Sequence, residues 1–187
     1  MDEPTLLAGV LSKTGTLIAG VRDDQWSLPT PCPDYDVRAL VNHMLGWVQV
    51  FDAGCHHRAF DGDPTAYRFG PDPAAEFRSA AGSLVDGWTE FGLDRPVRIM
   101  SGEMPGESVF NITVMEYLTH GWDLAKATSQ ATDLNPGLAE GLLAGARQAI
   151  QPAFRGPDGK SPFGPEQQAP AGASNADRLA AFLGRTV

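Results

Sequence analysis

Asn111-Ile-Thr-Val-Met-Glu-Tyr-Leu-Thr-His-Gly-Trp-Asp-Leu-Ala125 is the stretch that decides how this chain folds. Glu116 and His120 are four residues apart, so at ~100° per residue they project about 40° from one another on a helix. Asp123 falls close to the same direction. Ile112 and Ala127 share that stripe, which makes it an apolar inward face interrupted by Glu116, His120 and Asp123 rather than a solvated charged one. A second stretch, Val37-Arg-Ala-Leu-Val-Asn-His-Met-Leu-Gly-Trp-Val-Gln-Val-Phe51, repeats the situation. There His43 sits between Leu40 and Trp47, with Met44, Val50 and Phe51 close on the same side. Imidazoles and carboxylates rarely go inside without a partner.

Two readings of these groups stand side by side. In one, the imidazoles and carboxylates satisfy one another in a metal-free core, as a lone histidine on an apolar face usually does. In the other, His43, Glu116 and His120 converge from facing helices as two nitrogens and one carboxylate around a divalent metal. An E-x-x-x-H pair arises often by chance; the conjunction of four such groups on two helices is what favours the metal. Three protein ligands leave a coordination position free, the arrangement of a catalytic Zn²⁺ or similar ion. The mixed N/O set favours zinc and also admits nickel or iron. Asp123 is either a fourth ligand or an acceptor that orients an imidazole N–H. Trp47, one turn from His43, either packs or lines the pocket.

Smaller candidates weigh less. Cys55-His56-His57 has the look of a ligand cluster, but consecutive helical residues diverge by ~100° and cannot chelate one ion without unwinding. It reads as an exposed helix end. Cys32, in Pro31-Cys-Pro33 just ahead of the His43 helix, is either a thiol facing the site or a small buried residue fixing that turn. Gly-rich phosphate loops and a G-x-S-x-G elbow are absent from the sequence.

The segments Trp26 to His43, Glu116-Tyr-Leu-Thr-His-Gly-Trp-Asp-Leu-Ala-Lys-Ala127 and Asp177-Arg-Leu-Ala-Ala-Phe-Leu-Gly-Arg185 resemble the mycothiol-dependent maleylpyruvate isomerase group of the DinB-like metalloprotein superfamily. The resemblance runs nearly end to end and is of actinobacterial type. It implies an all-α fold, an up-down-down-up four-helix bundle with a short hairpin insertion and an extra C-terminal helical segment. It also implies a divalent metal on the residues matching His43, Glu116 and His120, and chemistry on mycothiol or a related low-molecular-weight thiol. The isomerase carries an additional C-terminal domain that supplies an arginine, for which 187 residues leave no room. Maleylpyruvate isomerisation itself is therefore not expected.

Composition agrees with one soluble domain over 1–187. No stretch approaches the ~20 uninterrupted apolar residues of a membrane span. Met1-Asp-Glu-Pro lacks the basic region of a secretory signal, and two cysteines suit free thiols in a reducing cytoplasm. A net charge of −9 without any Lys/Arg cluster argues against nucleic-acid binding. A homodimer is left open. The 21 glycines and 15 prolines concentrate in connections, notably Asp61-Gly-Asp-Pro64, Gly70-Pro-Asp-Pro73 and the run from Gly156 to Gly172.

Periodicity predicts helices over 5–21, 36–57, 73–91, 111–129 and 136–150. Pro4, Asp34 or Asp36, and Asn111 are the expected starts. Val97 to Ser101 and Glu107 to Phe110, flanking Met104-Pro-Gly106, suggest a small hairpin. Pro152, Pro157, Pro162, Pro165 and Pro170 exclude continuous helix from 151–173, which reads as a lid or rim. Arg155 in it offers a fixed multi-donor group, assigned both to the electrophile's developing charge and to the sugar portion of the thiol.

These readings combine into a metal-dependent enzyme that uses a mycothiol-like thiol for S-transfer to a small electrophile or for thiol-assisted isomerisation. The alternatives are a hydrolase, short of a general base because only Asp123 or Glu116 is placed for that work, and a metal-stabilised small-molecule binding protein.

Overall fold

The computed structural model describes residues 3–100, 102–157, 161 and 163–187, and is mostly helical: six α-helices, three short 3₁₀ turns and one two-stranded sheet among those residues. Met1, Asp2, Ser101 and Pro162, on which parts of the sequence reading fell, lie outside them. The chain divides into two compact units, one built from 1–20 and 39–117, the other from 21–38 and 118–187.

The first unit holds α1 (Glu3–Ala19), nearly all of α2 (Val37–Cys55), α3 (Pro73–Phe91), the strands β1 (Pro96–Ile99) and β2 (Gly102–Pro105), and the first half of α4 (Gly106–Ala127). α1 buries Leu7, Val10, Leu11, Thr14, Leu17 and Ile18, a 3–4 spacing that gives one apolar stripe, and packs it on α3. α3 contributes Phe77, Ala81, Leu84 and Trp88. It starts where Asp72 accepts the Ala75 amide with Pro73 in the first turn, and it coincides with the expected 73–91. α2 starts directly after Asp36 and presents Leu40, Val41, Met44, Leu45, Val48 and Phe51 to the core.

The hairpin exists but sits earlier than its sequence signal. β1 and β2 pair antiparallel with Ile99 opposite Gly102, so Met104-Pro-Gly106 ends the second strand rather than forming the turn. Glu107 to Phe110 are helical, and α4 begins at Gly106 instead of Asn111, which is exposed inside the helix. Glycine is what allows this: the Gly106 amide donates to the Arg95 carbonyl at 2.7 Å, and a Cβ there would lie 2.4 Å from the Leu93 oxygen and 2.6 Å from the Arg95 oxygen. A strand-like run of Ser-Val-Phe is overridden by the fit of the helix start against the preceding turn.

The second unit comprises the loop 21–38, the rest of α4, α5 (Pro136–Ala149) and α6 (Asn175–Phe182), with α5 packed on α6. Gln25 reaches from the loop to donate to the Thr128 carbonyl at 3.0 Å. Among the described residues between α5 and α6 the chain is irregular apart from a 3₁₀ turn at Pro152–Phe154 and a bridge pairing Arg155 with Phe163. α6 was not anticipated as a helix of its own, being only eight residues long. Its signal was legible in Ser174-Asn-Ala-Asp177, where the Ser174 hydroxyl accepts the Asp177 amide. No helix among the described residues is long and apolar enough to cross a membrane.

Candidate metal centre

α4 is the spine of the site. It is continuous through Glu116, His120 and Asp123, so these three share one helical stripe as their spacing requires.

In the first unit His43 projects from α2 onto Glu116, with His43 Nε2 and Glu116 Oε1 at 2.7 Å and both side chains only slightly exposed. Aromatic residues back this pair. Trp47 lies one turn from His43, ring centroids 6.2 Å apart, then stacks obliquely on Phe51 at 5.7 Å. Phe51 and Phe77 meet the edge of Tyr117, whose hydroxyl donates to the Met44 carbonyl at 3.1 Å. Burial, and secondarily the neighbouring Glu116 charge, holds the Tyr117 phenol well above its usual range. It is therefore a neutral donor that fixes α2 to α4 beside the His43–Glu116 pair.

In the second unit Asp123 has no exposure at all and accepts from three directions. His120 Nδ1 is 3.0 Å from Asp123 Oδ2, Arg185 Nη2 is 3.0 Å from the same oxygen, and Arg185 Nε is 3.2 Å from Oδ1. Burial raises the carboxyl's pKa, yet the hydrogen bond from His120 and the Arg185 charge outweigh it and hold the group below the usual carboxylate range. An ionised Asp123 can only accept, so Nδ1 of His120 donates to it, and in the neutral ring this leaves the lone pair on Nε2. Tyr35 meets the His120 ring edge-on at 6.2 Å. This is the tautomer a histidine needs to ligate through Nε2, with a carboxylate behind it as metal-bound imidazoles usually have. Asp123 stands where an acceptor that orients the imidazole would stand, and its oxygens also fall in a ligand-type cluster with Cys32 and His120.

Cys32 lies in the same unit, buried, with its sulfur in a cluster whose ligand atoms from Cys32, His120 and Asp123 all fall within 4.8 Å. Burial pushes its thiol up to about 11, only partly opposed by Arg185, so it is a protonated, apolar neighbour of the site. Both cysteines are free.

Three sequence expectations change at this level. Arg185 was not singled out as a site residue; its signal, an arginine directly after the Leu-Gly end of a helix, is apparent only once α6 is placed. Arg155 donates Nη1 to the Gly164 and Phe182 carbonyls at 3.0 and 2.8 Å and stacks on Phe182, while its buried Nη2 has no hydrogen-bond partner among the described residues. Cys55 is fully buried rather than part of an exposed helix end. His56 Nδ1 faces Asp52, and His57 is exposed in a left-handed turn at φ 56° that closes α2.

Residues 7–125 match the family described as mycothiol maleylpyruvate isomerase N-terminal domain. The chain belongs to this family. The matched span contains Cys32, His43, Glu116, His120 and Asp123 and excludes Arg155 and Arg185. Two relatives from Mycobacterium tuberculosis, uncharacterized protein MT0763 of strain CDC 1551 / Oshkosh and uncharacterized protein Rv0738 of strain ATCC 25618 / H37Rv, are each 38% identical over 176 residues, covering 91% of this chain and 91% of the relative. No solved structure matches the chain. Family and geometry agree on a mycothiol-related protein whose ligand-type side chains are gathered along α4.

Proposed function

We propose that this protein is a divalent-metal-dependent enzyme that brings a low-molecular-weight thiol of the mycothiol class to a small electrophile, by S-transfer or thiol-assisted isomerisation. The observation that carries the reading is the buried Asp123 carboxylate 3.0 Å from His120 Nδ1, which turns Nε2 of the neutral ring toward ligation, one helical turn from Glu116, whose carboxylate meets His43. His43, Glu116 and His120 would hold the metal, and their two neutral nitrogens and one carboxylate fit zinc best, with nickel or iron admitted by the same donors. A divalent cation held by this set supplies charge stabilisation of a thiolate near neutral pH.

The remaining roles belong to the chain's own residues. Asp123 keeps the proton on His120 Nδ1 and does not reach substrate. Engaged by both His120 and Arg185, it is also no free general base, which counts against the hydrolase alternative. Trp47 forms an apolar wall beside His43 against which a small electrophile can sit, and Cys32, protonated, does not compete as a nucleophile. Arg155, bonded to the Gly164 and Phe182 carbonyls, would help recognise the sugar portion of the thiol and meet the electrophile's developing charge. The finer fold belongs to the same proposal: a DinB-like up-down-down-up four-helix bundle, with the hairpin as insertion and a further C-terminal helical segment, forming a single metal-binding domain in the cytoplasm.

A panel of epoxides, unsaturated acids and alkyl halides, each offered with mycothiol, glutathione or cysteine, tests this. Electrophile-dependent consumption of thiol, lost on metal removal and restored by zinc, is expected, with mycothiol preferred. If no thiol is consumed while metal-free and metal-loaded protein bind small molecules equally well, the protein is a binding module and not an enzyme.

A further inference from the structure

Arg185 is aimed at Asp123 by the way α6 ends. After Leu183 the chain turns left-handed at Gly184, φ 99°; the Gly184 amide donates to the Ala181 carbonyl at 3.0 Å and the Arg185 amide to the Ala180 carbonyl at 2.9 Å. This pair of bonds closes a helix and reverses the chain over its last turn. Residue 184 is fixed twice over, because a Cβ there would also lie 2.7 Å from Gly164 Cα. The reversal brings the Arg185 guanidinium, 11% exposed, side-on to Asp123 so that it engages both carboxylate oxygens. A carboxylate's terminal torsion is intrinsically soft, and a planar two-point clamp is what removes that freedom.

We propose that Arg185 is a positioning residue: it locks the plane of Asp123, Asp123 in turn holds the proton on His120 Nδ1, and His120 Nε2 is thereby kept as a ligand of fixed direction for a divalent cation. The tautomer part stands on geometry alone, and only the last step rests on the metal reading above. α6 is tied to α4 a second time, by Trp122 Nε1 donating to Asp177 Oδ1 at 2.9 Å. That hydrogen bond does not involve the side chains of His120, Asp123 or Arg185 and so serves as the control for a merely structural role.

The experiment compares native protein with Arg185→Gln, Arg185→Lys and Trp122→Phe by ¹⁵N spectra of the His120 ring in metal-free protein, and by zinc affinity against a competing chelator. Native protein is expected to show the Nδ1–H form alone. Arg185→Gln should lose that single form and bind zinc about 10- to 100-fold more weakly, the range found for residues that orient a ligand. Arg185→Lys should fall between the two, and it carries the decision if Arg185→Gln does not fold. Trp122→Phe should leave both readouts as in native protein. An unchanged ring pattern in the Arg185 variants, or an equal change in Trp122→Phe, overturns the positioning role. Native protein that shows the Nδ1–H form yet binds no zinc would overturn the metal reading, while the ring spectra of the variants still decide on Arg185.

Discussion

The two ends of the ligand stripe on α4 are built on opposite plans. At Glu116 the carboxylate is partly exposed and lies 2.7 Å from His43 Nε2. At Asp123 the carboxylate is wholly buried and clamped by His120 and by a two-point arginine. The first plan leaves a group able to change partner; the second leaves a group that cannot move without breaking a charge pair inside the protein. A site that must take up and hold a cation needs both, an adjustable carboxylate to close on the ion and a fixed imidazole to receive it.

The sharpest way to break this contrast is to truncate each carboxylate in turn. Asp123→Ala strands Arg185 as an uncompensated buried charge and is expected to cost about 3–5 kcal/mol of stability. Glu116→Ala removes a partly exposed carboxylate and should cost only about 1 kcal/mol. Denaturant unfolding of the two variants checks it, and equal losses would erase the distinction.

A gentler substitution sharpens the same comparison. Asp123→Asn retains an acceptor for Arg185 or for His120 but not for both with full charge. It should keep metal at saturating concentration while lowering affinity by about 10- to 100-fold. Complete loss of binding at saturation would instead make Asp123 a ligand.

The smallest effect separates the two cysteines from the chemistry. Cys55, the last residue of α2, is fully buried, and burial pushes its thiol up to about 12, against a smaller opposing pull from Arg95. Folding therefore favours the protonated thiol. The stabilisation is fully present below the ordinary thiol range near 9 and is lost as pH rises from there toward about 12. Cys55→Ala should unfold less steeply with alkali across that window than native protein does. Neither native thiol should react with a disulfide reagent at pH 8 until the protein is unfolded, since Cys32 too is held protonated, at about 11.

Much of this was legible before any coordinates. The stripe Ile112, Glu116, His120, Asp123, Ala127 announces its own face because helical spacing is strict, and α3 reads correctly from Pro73 to Phe91 because Asp72 and Pro73 mark its start chemically. The start of α4 was misread for the opposite reason: Glu107 to Phe110 carry strand-like side chains, and what makes them helical is a carbonyl of the preceding turn seated against Gly106. Arg185 escaped notice because its importance lies in a long-range contact with Asp123, which no local pattern encodes. Arg155 drew attention as a charged residue in a proline-rich loop, and its Nη1 is taken by the carbonyls of Gly164 and Phe182, partners that only the folded loop reveals. Local periodicity thus names the ligand-type residues, while their partners come from tertiary structure.

The most direct measurement is the metal content of purified native protein beside His43→Ala, Glu116→Ala and His120→Ala, with His56→Ala and His57→Ala as controls. About one divalent ion per chain is expected in native protein and in both controls, with depletion in each of the three ligand variants. Full metal stoichiometry retained in all three ligand variants would contradict the assignment of His43, Glu116 and His120 as the metal-binding set.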